Sequence, residues 1–147
     1  MEVAGIVLAV IPLSAKVFQL CSQYYSAVND AKEEIDRLRK EVTDVTAVFS
    51  RAEGLINGPN ASKMVALQEL QLHGVPVAVE SVKDALEQLD SRLAPPAEKK
   101  RRRLKKLIGF SACALKWPLK SQEVDTFIQR LERHKNTLNT ALTVDIA

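Results

Sequence analysis

Charge is nearly absent from the first part of this chain. Residues 3–29 carry a single formal charge, on Lys16, and the 11 residues from Val3 to Leu13 have no polar side chain at all. A helix on the surface of a small globular domain pairs an apolar stripe with a polar face, so this segment falls outside that class. It belongs inside a helical bundle, in a membrane, or in each at different times. Aromatic residues are also scarce, at 5% of the chain. That leaves few rings on which nucleic-acid bases could stack. There are only two cysteines, Cys21 and Cys113. Both sit in apolar surroundings without metal-ligand neighbours, which points to buried free thiols in a reducing compartment, with a Cys21–Cys113 bridge as the alternative. The two histidines, His73 and His134, fall into no cluster with zinc spacing. Phosphate-loop, dinucleotide-binding and nucleophile-elbow patterns are missing. No enzyme activity, cofactor or metal is expected.

What is present reads as helix. The chain has 147 residues, 46% of them hydrophobic and 27% charged, enough for one domain, 1–147, with a core of its own. The first helix is expected from about Glu2 to Val28. Pro12 lies inside it, where it removes a backbone hydrogen bond and crowds the carbonyl of Leu8, so a kink or break is expected. Because the first half is apolar nearly all round, the bundle interior is its expected resting place. The second half is amphipathic, with Val17, Leu20 and Tyr24 on one face.

Asn29-Asp30 signals a turn and cap. Beyond it Ala31, Ile35, Leu38, Val42, Val45, Phe49, Ala52 and Ile56 recur at heptad-like spacing. The opposite face carries i,i+4 pairs such as Glu33–Arg37 and Asp36–Lys40. Asn57-Gly58-Pro59-Asn60 ends that helix. A third stretch, capped by Ser62, is interrupted at His73-Gly74-Val75-Pro76. Its stripe resumes as Val75, Val79, Val82, Leu86, Leu89 and Leu93, and Ala94-Pro95-Pro96 stops it. A last helix presents Val124, Phe127, Ile128, Leu131, Leu138, Ala141 and Leu142, with Pro118 fitting its first turn. The predicted fold is all-α: an antiparallel helical bundle of four long helices plus one short helix.

Residues 97–106 form a basic segment. Lys99, Lys100, Arg101, Arg102, Arg103, Lys105 and Lys106 stand against one acid, Glu98, so more than the whole net charge of +3 is concentrated there. A solvated loop, a nuclear-import or nucleic-acid patch, and an anionic-lipid patch are the competing readings. Phe110 and Trp117, the aromatics nearby, read as core, which weighs against nucleic acid. The N-terminal run lacks a basic leader and a clean cleavage site, unlike a secretory signal. Its uninterrupted 11 apolar residues are fewer than the roughly 20 a regular membrane span needs.

Three blocks together resemble a known family. They are the apolar start Met1-Glu2-Val3-Ala4-Gly5-Ile6-Val7 with Ser14-Ala15-Lys16-Val17 and Tyr24-Tyr25; the segment Ala31-Lys32-Glu33-Glu34-Ile35-Asp36-Arg37-Leu38; and Leu115-Lys116-Trp117-Pro118-Leu119-Lys120 with the final helix. The chain resembles the HeLo-like N-terminal domain of fungal NOD-like (STAND) receptors. That domain is similar in plan to the four-helix executioner domain of the mixed-lineage-kinase-like necroptosis protein.

The resemblance implies regulated cell death by a membrane-targeting, pore-forming domain. It would be cytoplasmic at rest and at the plasma membrane when activated, and would form a homo-oligomer on activation. Its partners would be an anionic phospholipid membrane and an upstream or in-cis nucleotide-binding receptor module, with no nucleic acid. The inserting segment would be Val3, Ala4, Gly5, Ile6, Val7, Leu8, Ala9, Val10, Ile11 and Leu13. Headgroup contacts would fall on the basic residues from Lys99 to Lys106. Pro12 departs from a straight inserting helix. The competing expectation is a non-lytic helical adaptor that mediates homotypic assembly of a receptor.

Overall fold

A computed structural model of the chain describes residues 3–56, 74–94 and 116–146, all helical apart from short connections. Four helices are present among them: α1 (Val3–Ala27), α2 (Lys32–Ile56), α3 (Val75–Leu93) and α4 (Ser121–Ile146). The described residues contain no strand. The third stretch's beginning at Ser62 lies outside the described residues, as do Phe110 and the basic segment.

Each helix follows from local chemistry. Gly74 takes a left-handed φ of 70° at the start of α3, a conformation that glycine alone adopts without cost. Pro76 then sits in the first turn, where its missing N–H has no partner to lose. Ala94, which precedes Pro95, turns extended and ends the helix. At α4 the Glu123 carboxylate accepts the Lys120 backbone N–H at 3.0 Å, half of a capping box. Pro118 lies before this helix, in the connection 116–120, and not in its first turn. Ser121 donates its hydroxyl to Glu34 across the bundle at 2.6 Å.

Packing is cyclic. α1 lies against α2 and α3, and α4 lies against the same two. Along α2 and α4 the facing residues rise together, Glu34 with Ser121, Arg37 with Asp125 and Arg51 with Asn139, so these neighbours run in the same direction. The apolar stripes form one core: Ile35, Leu38, Val42, Val45 and Phe49 of α2 are fully buried, as are Val75, Val79, Val82, Leu86, Leu89 and Leu93 of α3. Each large aliphatic side chain so buried contributes about 1.5–3 kcal/mol. On α4, Val124, Leu131, Leu138 and Leu142 close the other side.

Two expectations for α1 need correction. First, Pro12 neither ends nor interrupts the helix, which runs unbroken from Val3 to Ala27. Pro12 and Leu8 both lie on the exposed side, so the Leu8 carbonyl that loses its donor is on the side open to water, where it can be hydrated. Second, the first half of α1 is not immersed in the bundle. Ile6, Val7 and Val10 are buried, but Gly5, Leu8 and Ala9 are exposed and Ile11 and Leu13 are half-buried. The bundle has one layer of helices round one core, so α1 can bury only one face however apolar the other is.

Candidate functional site

The distinctive feature of this fold is the outward face of α1. Gly5, Leu8, Ala9, Pro12 and Ala15 are all exposed, and none is polar. Leu8 at 41% and Phe18 at 39% relative exposure are two of the three large hydrophobic residues left in solvent among the described residues. The third is Val77 on α3. Beyond Ala15 the same face turns polar, with Lys16, Gln19, Gln23 and Ser26 exposed. Gly5–Ala27, 23 residues, is long and apolar enough to cross a membrane, with 39% of its most apolar 18-residue window buried. Core helices of soluble proteins meet the same length and composition test. The continuous helix makes this stretch about 34 Å long at 1.5 Å per residue, against a hydrocarbon core of about 30 Å.

The polar ties that hold α1 are few. Ser14, fully buried, shares a hydrogen bond with Thr46 of α2 at 2.7 Å and donates to the Ile11 carbonyl at 2.8 Å. Lys16 pairs with Asp90 of α3 at 3.2 Å. The buried Tyr24 hydroxyl donates to the Leu93 carbonyl at 3.0 Å, and its ring meets Trp117 edge-on with centroids 5.3 Å apart. Burial pushes the Tyr24 phenol above its usual range. Cys21, inside the same interface, has its thiol pushed up to about 12 by burial, offset in part by Arg39. Such a thiol is inert. It is free, while Cys113 lies outside the described residues.

Elsewhere several charges are paired between helices. Arg37 pairs with Asp125 at 2.6 Å, an inter-helix tie in addition to the expected i,i+4 contacts, of which Asp36–Lys40 is formed at 3.3 Å. Arg92 of α3 donates to Glu123 at 2.7 Å and to the Pro118 carbonyl at 3.3 Å. Arg92 and the Lys120 N–H hold the Glu123 carboxyl down at about 2. Glu41 and Lys135, both largely buried, face each other at 2.9 Å between α2 and α4. Burial raises the Glu41 carboxyl above its usual range, and Lys135 offsets only part of that. His134 is half-buried, and burial followed by Arg133 and Arg130 holds its imidazole below the usual value. His73 is outside the described residues.

Among the described residues no group of three or more His, Cys, Asp or Glu side chains is placed to hold a metal. A shallow groove of about 420 Å³ between α3 and α4 is lined by Gln88, Arg92, Gln122, Glu123, Thr126, Phe127 and Arg130. It is open and of mixed polarity, and the Thr126 hydroxyl in it donates to the Gln122 carbonyl.

The proposed inserting residues thus form one helix but divide between two environments. Ile6, Val7 and Val10 are in the core, while Gly5, Leu8 and Ala9 face out; Val3 and Ala4 begin the helix. The basic residues Lys99, Lys100, Arg101, Arg102, Arg103, Lys105 and Lys106 lie outside the described residues. Sequence reasoning missed a cluster at the α1–α2 edge. Arg39 lies over the rings of Tyr25 and Phe18, at 4.4 and 5.9 Å, and Lys32 lies 4.3 Å from the Tyr25 centroid. Two aromatics on α1 are followed by two bases on α2 in the sequence, but their pairing spans a helix turn-back that spacing alone does not fix. Compared with known protein families, with curated proteins and with solved structures, the chain matches none.

Proposed function

We propose that this domain targets and permeabilises membranes as a regulated cell-death effector, by oligomerising and inserting α1. The proposal includes the finer architecture, four long helices with one short helix in which each helix runs opposite to the one before it in the chain; the expected antiparallel bundle does not extend to α2 and α4, which are neighbours that run in the same direction. The observation that carries the reading is the uncharged outward face of α1 from Gly5 to Ala15. A helix kept only as a structural element has no need to leave that face apolar, whereas a helix that exchanges protein for lipid does.

Lys16 decides between a lone span and an assembly. It lies at the middle of Gly5–Ala27, and a cation at the bilayer centre costs about 2.5–3.5 kcal/mol on insertion scales. Several copies would turn Lys16, Gln19 and Gln23 toward a shared aqueous path and remove that cost. Release of α1 uncovers Ile6, Val7, Val10, Val17 and Leu20, so lipid or neighbouring copies must cover them again. Within this reading the basic residues from Lys99 to Lys106 attract anionic headgroups, at about 1 kcal/mol each. The domain would rest in the cytoplasm and act at the plasma membrane under a nucleotide-binding receptor module.

The test is release of dye from anionic liposomes. Leu8→Glu changes an exposed residue, so the bundle should keep its helical content and thermal midpoint while release falls at least tenfold. Deleting residues 2–13 is a poorer test, because it removes Ile6, Val7 and Val10 from the core. Undiminished release by Leu8→Glu would remove α1 insertion from consideration. The alternative reading, a non-lytic adaptor for homotypic assembly, draws on the same apolar face; it predicts oligomers in solution and no response to vesicles.

A further inference from the structure

We propose that the edge between α1 and α2 is a docking surface for an anionic bilayer, with Phe18 and Tyr25 of α1 and Lys32 and Arg39 of α2 at the headgroup level. This rests on the membrane reading above and adds a site separate from the basic residues from Lys99 to Lys106.

The arrangement has three layers. The cations come first. Arg39 lies 4.4 Å from the Tyr25 ring centroid and 5.9 Å from that of Phe18. Lys32 lies 4.3 Å from the Tyr25 centroid and donates to the Tyr25 backbone carbonyl. A guanidinium held over a ring keeps donors free around its rim. Only one contact on that rim is taken by a carboxylate, Asp36 at 2.9 Å, which also lies 3.3 Å from Lys40. Asp36 thus stands between Arg39 and Lys40, and it stays ionised, because these two cations hold its carboxyl below the usual range.

The rings form the second layer. Phe18 is 39% exposed, and Tyr25 is half-buried with its ring under two cations. Ring edges with basic neighbours are the residue mixture that populates the interfacial zone of a bilayer. The third layer is aliphatic. Toward the start of α1 the flank continues as Ala15, Ile11 and Leu8, with no charge among them.

Charge complementarity and the aliphatic flank together select the occupant. A polynucleotide would satisfy the cations but has no use for Leu8, Ile11 and Ala15. A bilayer surface uses both, with phosphates on Lys32 and Arg39 and acyl chains against the flank. Docked this way, α1 would lie along the membrane while still folded into the bundle, the position from which it can be exchanged into lipid.

The experiment is flotation of the full chain with vesicles of phosphatidylcholine alone or with phosphatidylserine. The parent should float with the serine-containing vesicles. The double variant Lys32→Gln, Arg39→Gln should bind them about tenfold to thirtyfold more weakly, with its helical content retained. A second measurement reads orientation. In a Cys113→Ser background Cys21 is buried and unreactive, so a polarity-sensitive dye can be placed on Ala15→Cys or on Gln129→Cys of α4. Emission should shift to the blue at position 15 and stay unchanged at 129 when phosphatidylserine vesicles are added.

If the double variant floats like the parent while Arg101→Ala, Arg102→Ala, Arg103→Ala does not, the edge is overturned and the membrane reading survives. Equal dye shifts at the two positions also overturn the edge. A parent that ignores both vesicle types, or that binds single-stranded nucleic acid instead, overturns both proposals.

Discussion

α1 and α4 both pack against α2, yet the two interfaces are built differently. α4 is tied to α2 by charge at successive levels, through Arg37–Asp125, Glu41–Lys135 and the Arg51–Asn139 and Ser121–Glu34 hydrogen bonds. Between α1 and α2 there is no ion pair among the described residues: the side-chain ties are a buried hydroxyl pair, Ser14–Thr46, the Lys32 contact with the Tyr25 carbonyl, and the stacking of Lys32 and Arg39 on the rings of Tyr25 and Phe18. The outward faces differ in the same sense. α2 shows Glu33, Arg37, Lys40, Asp44 and Arg51 to solvent, whereas α1 shows Gly5, Leu8, Ala9, Pro12 and Ala15 before its single Lys16. The contrast indicates that α2 and α4 are fixed in water by both faces. The first half of α1 is fixed mainly by its inner face, through apolar contacts that lipid tails can replace.

The strongest way to break this contrast is at the α2–α4 tie. Lys135→Met leaves the Glu41 carboxylate buried without its cation, which should cost about 3–5 kcal/mol at neutral pH in urea unfolding. The sign of the pH effect follows from burial. The folded state binds the Glu41 proton more tightly than the unfolded chain does, because its carboxyl is raised above the usual 4.5. The contribution of this group to stability is therefore fully present below about 4.5 and is lost as pH rises through the raised value. The Lys135→Met deficit should shrink on acidification, and a deficit independent of pH would show that Glu41 is not the cause.

Next in size is the core common to both interfaces. Leu38→Ala, at a fully buried position of α2, should lose about 2–5 kcal/mol in the same assay. Ser14→Ala probes the α1 tie. Without the Ser14 hydroxyl, Thr46 can give its one hydrogen to the Val42 carbonyl, 2.9 Å away, so the cost should be about 1 kcal/mol. If Ser14→Ala costs as much as Lys135→Met, the claim that α1 is held lightly by polar contacts is wrong.

The smallest expected effect is a gain. A Cβ built on Gly5 meets nothing within 4 Å, and alanine is favoured over glycine inside a helix by about 1 kcal/mol. Gly5→Ala should therefore raise the thermal midpoint by a few degrees. A loss of stability would show that the outward face of α1 is covered.

The heptad-like stripes of α2 and α3 were legible because each has a polar face to contrast with. Every described member of both stripes is buried. The α1 segment had no such contrast in its first half, so its periodicity could not say which residues point inward, and the expectation of full immersion followed. Pro12 misled as to a break: the helix is continuous, and the Leu8 carbonyl that loses its donor lies on the exposed side, where water can take the donor's place. The candidate site divides the same way. Its apolar composition was visible along the chain, whereas the stacking of Arg39 on Tyr25 and Phe18 depends on the turn at 28–31 bringing two helices side by side.

The sequence by itself determined that the described segments are helical, where α3 ends, and which residues of α2, α3 and α4 enter the core. Those follow from local propensity and from apolar residues repeating in phase with the helix turn. Only the tertiary structure decided which face of α1 is covered, that α2 and α4 run in the same direction, and that Glu41 meets Lys135 out of water. The reason is physical. A uniformly apolar helix has no preferred inner face until its neighbours supply one, and a buried charge finds its partner only when a second helix arrives at the matching height.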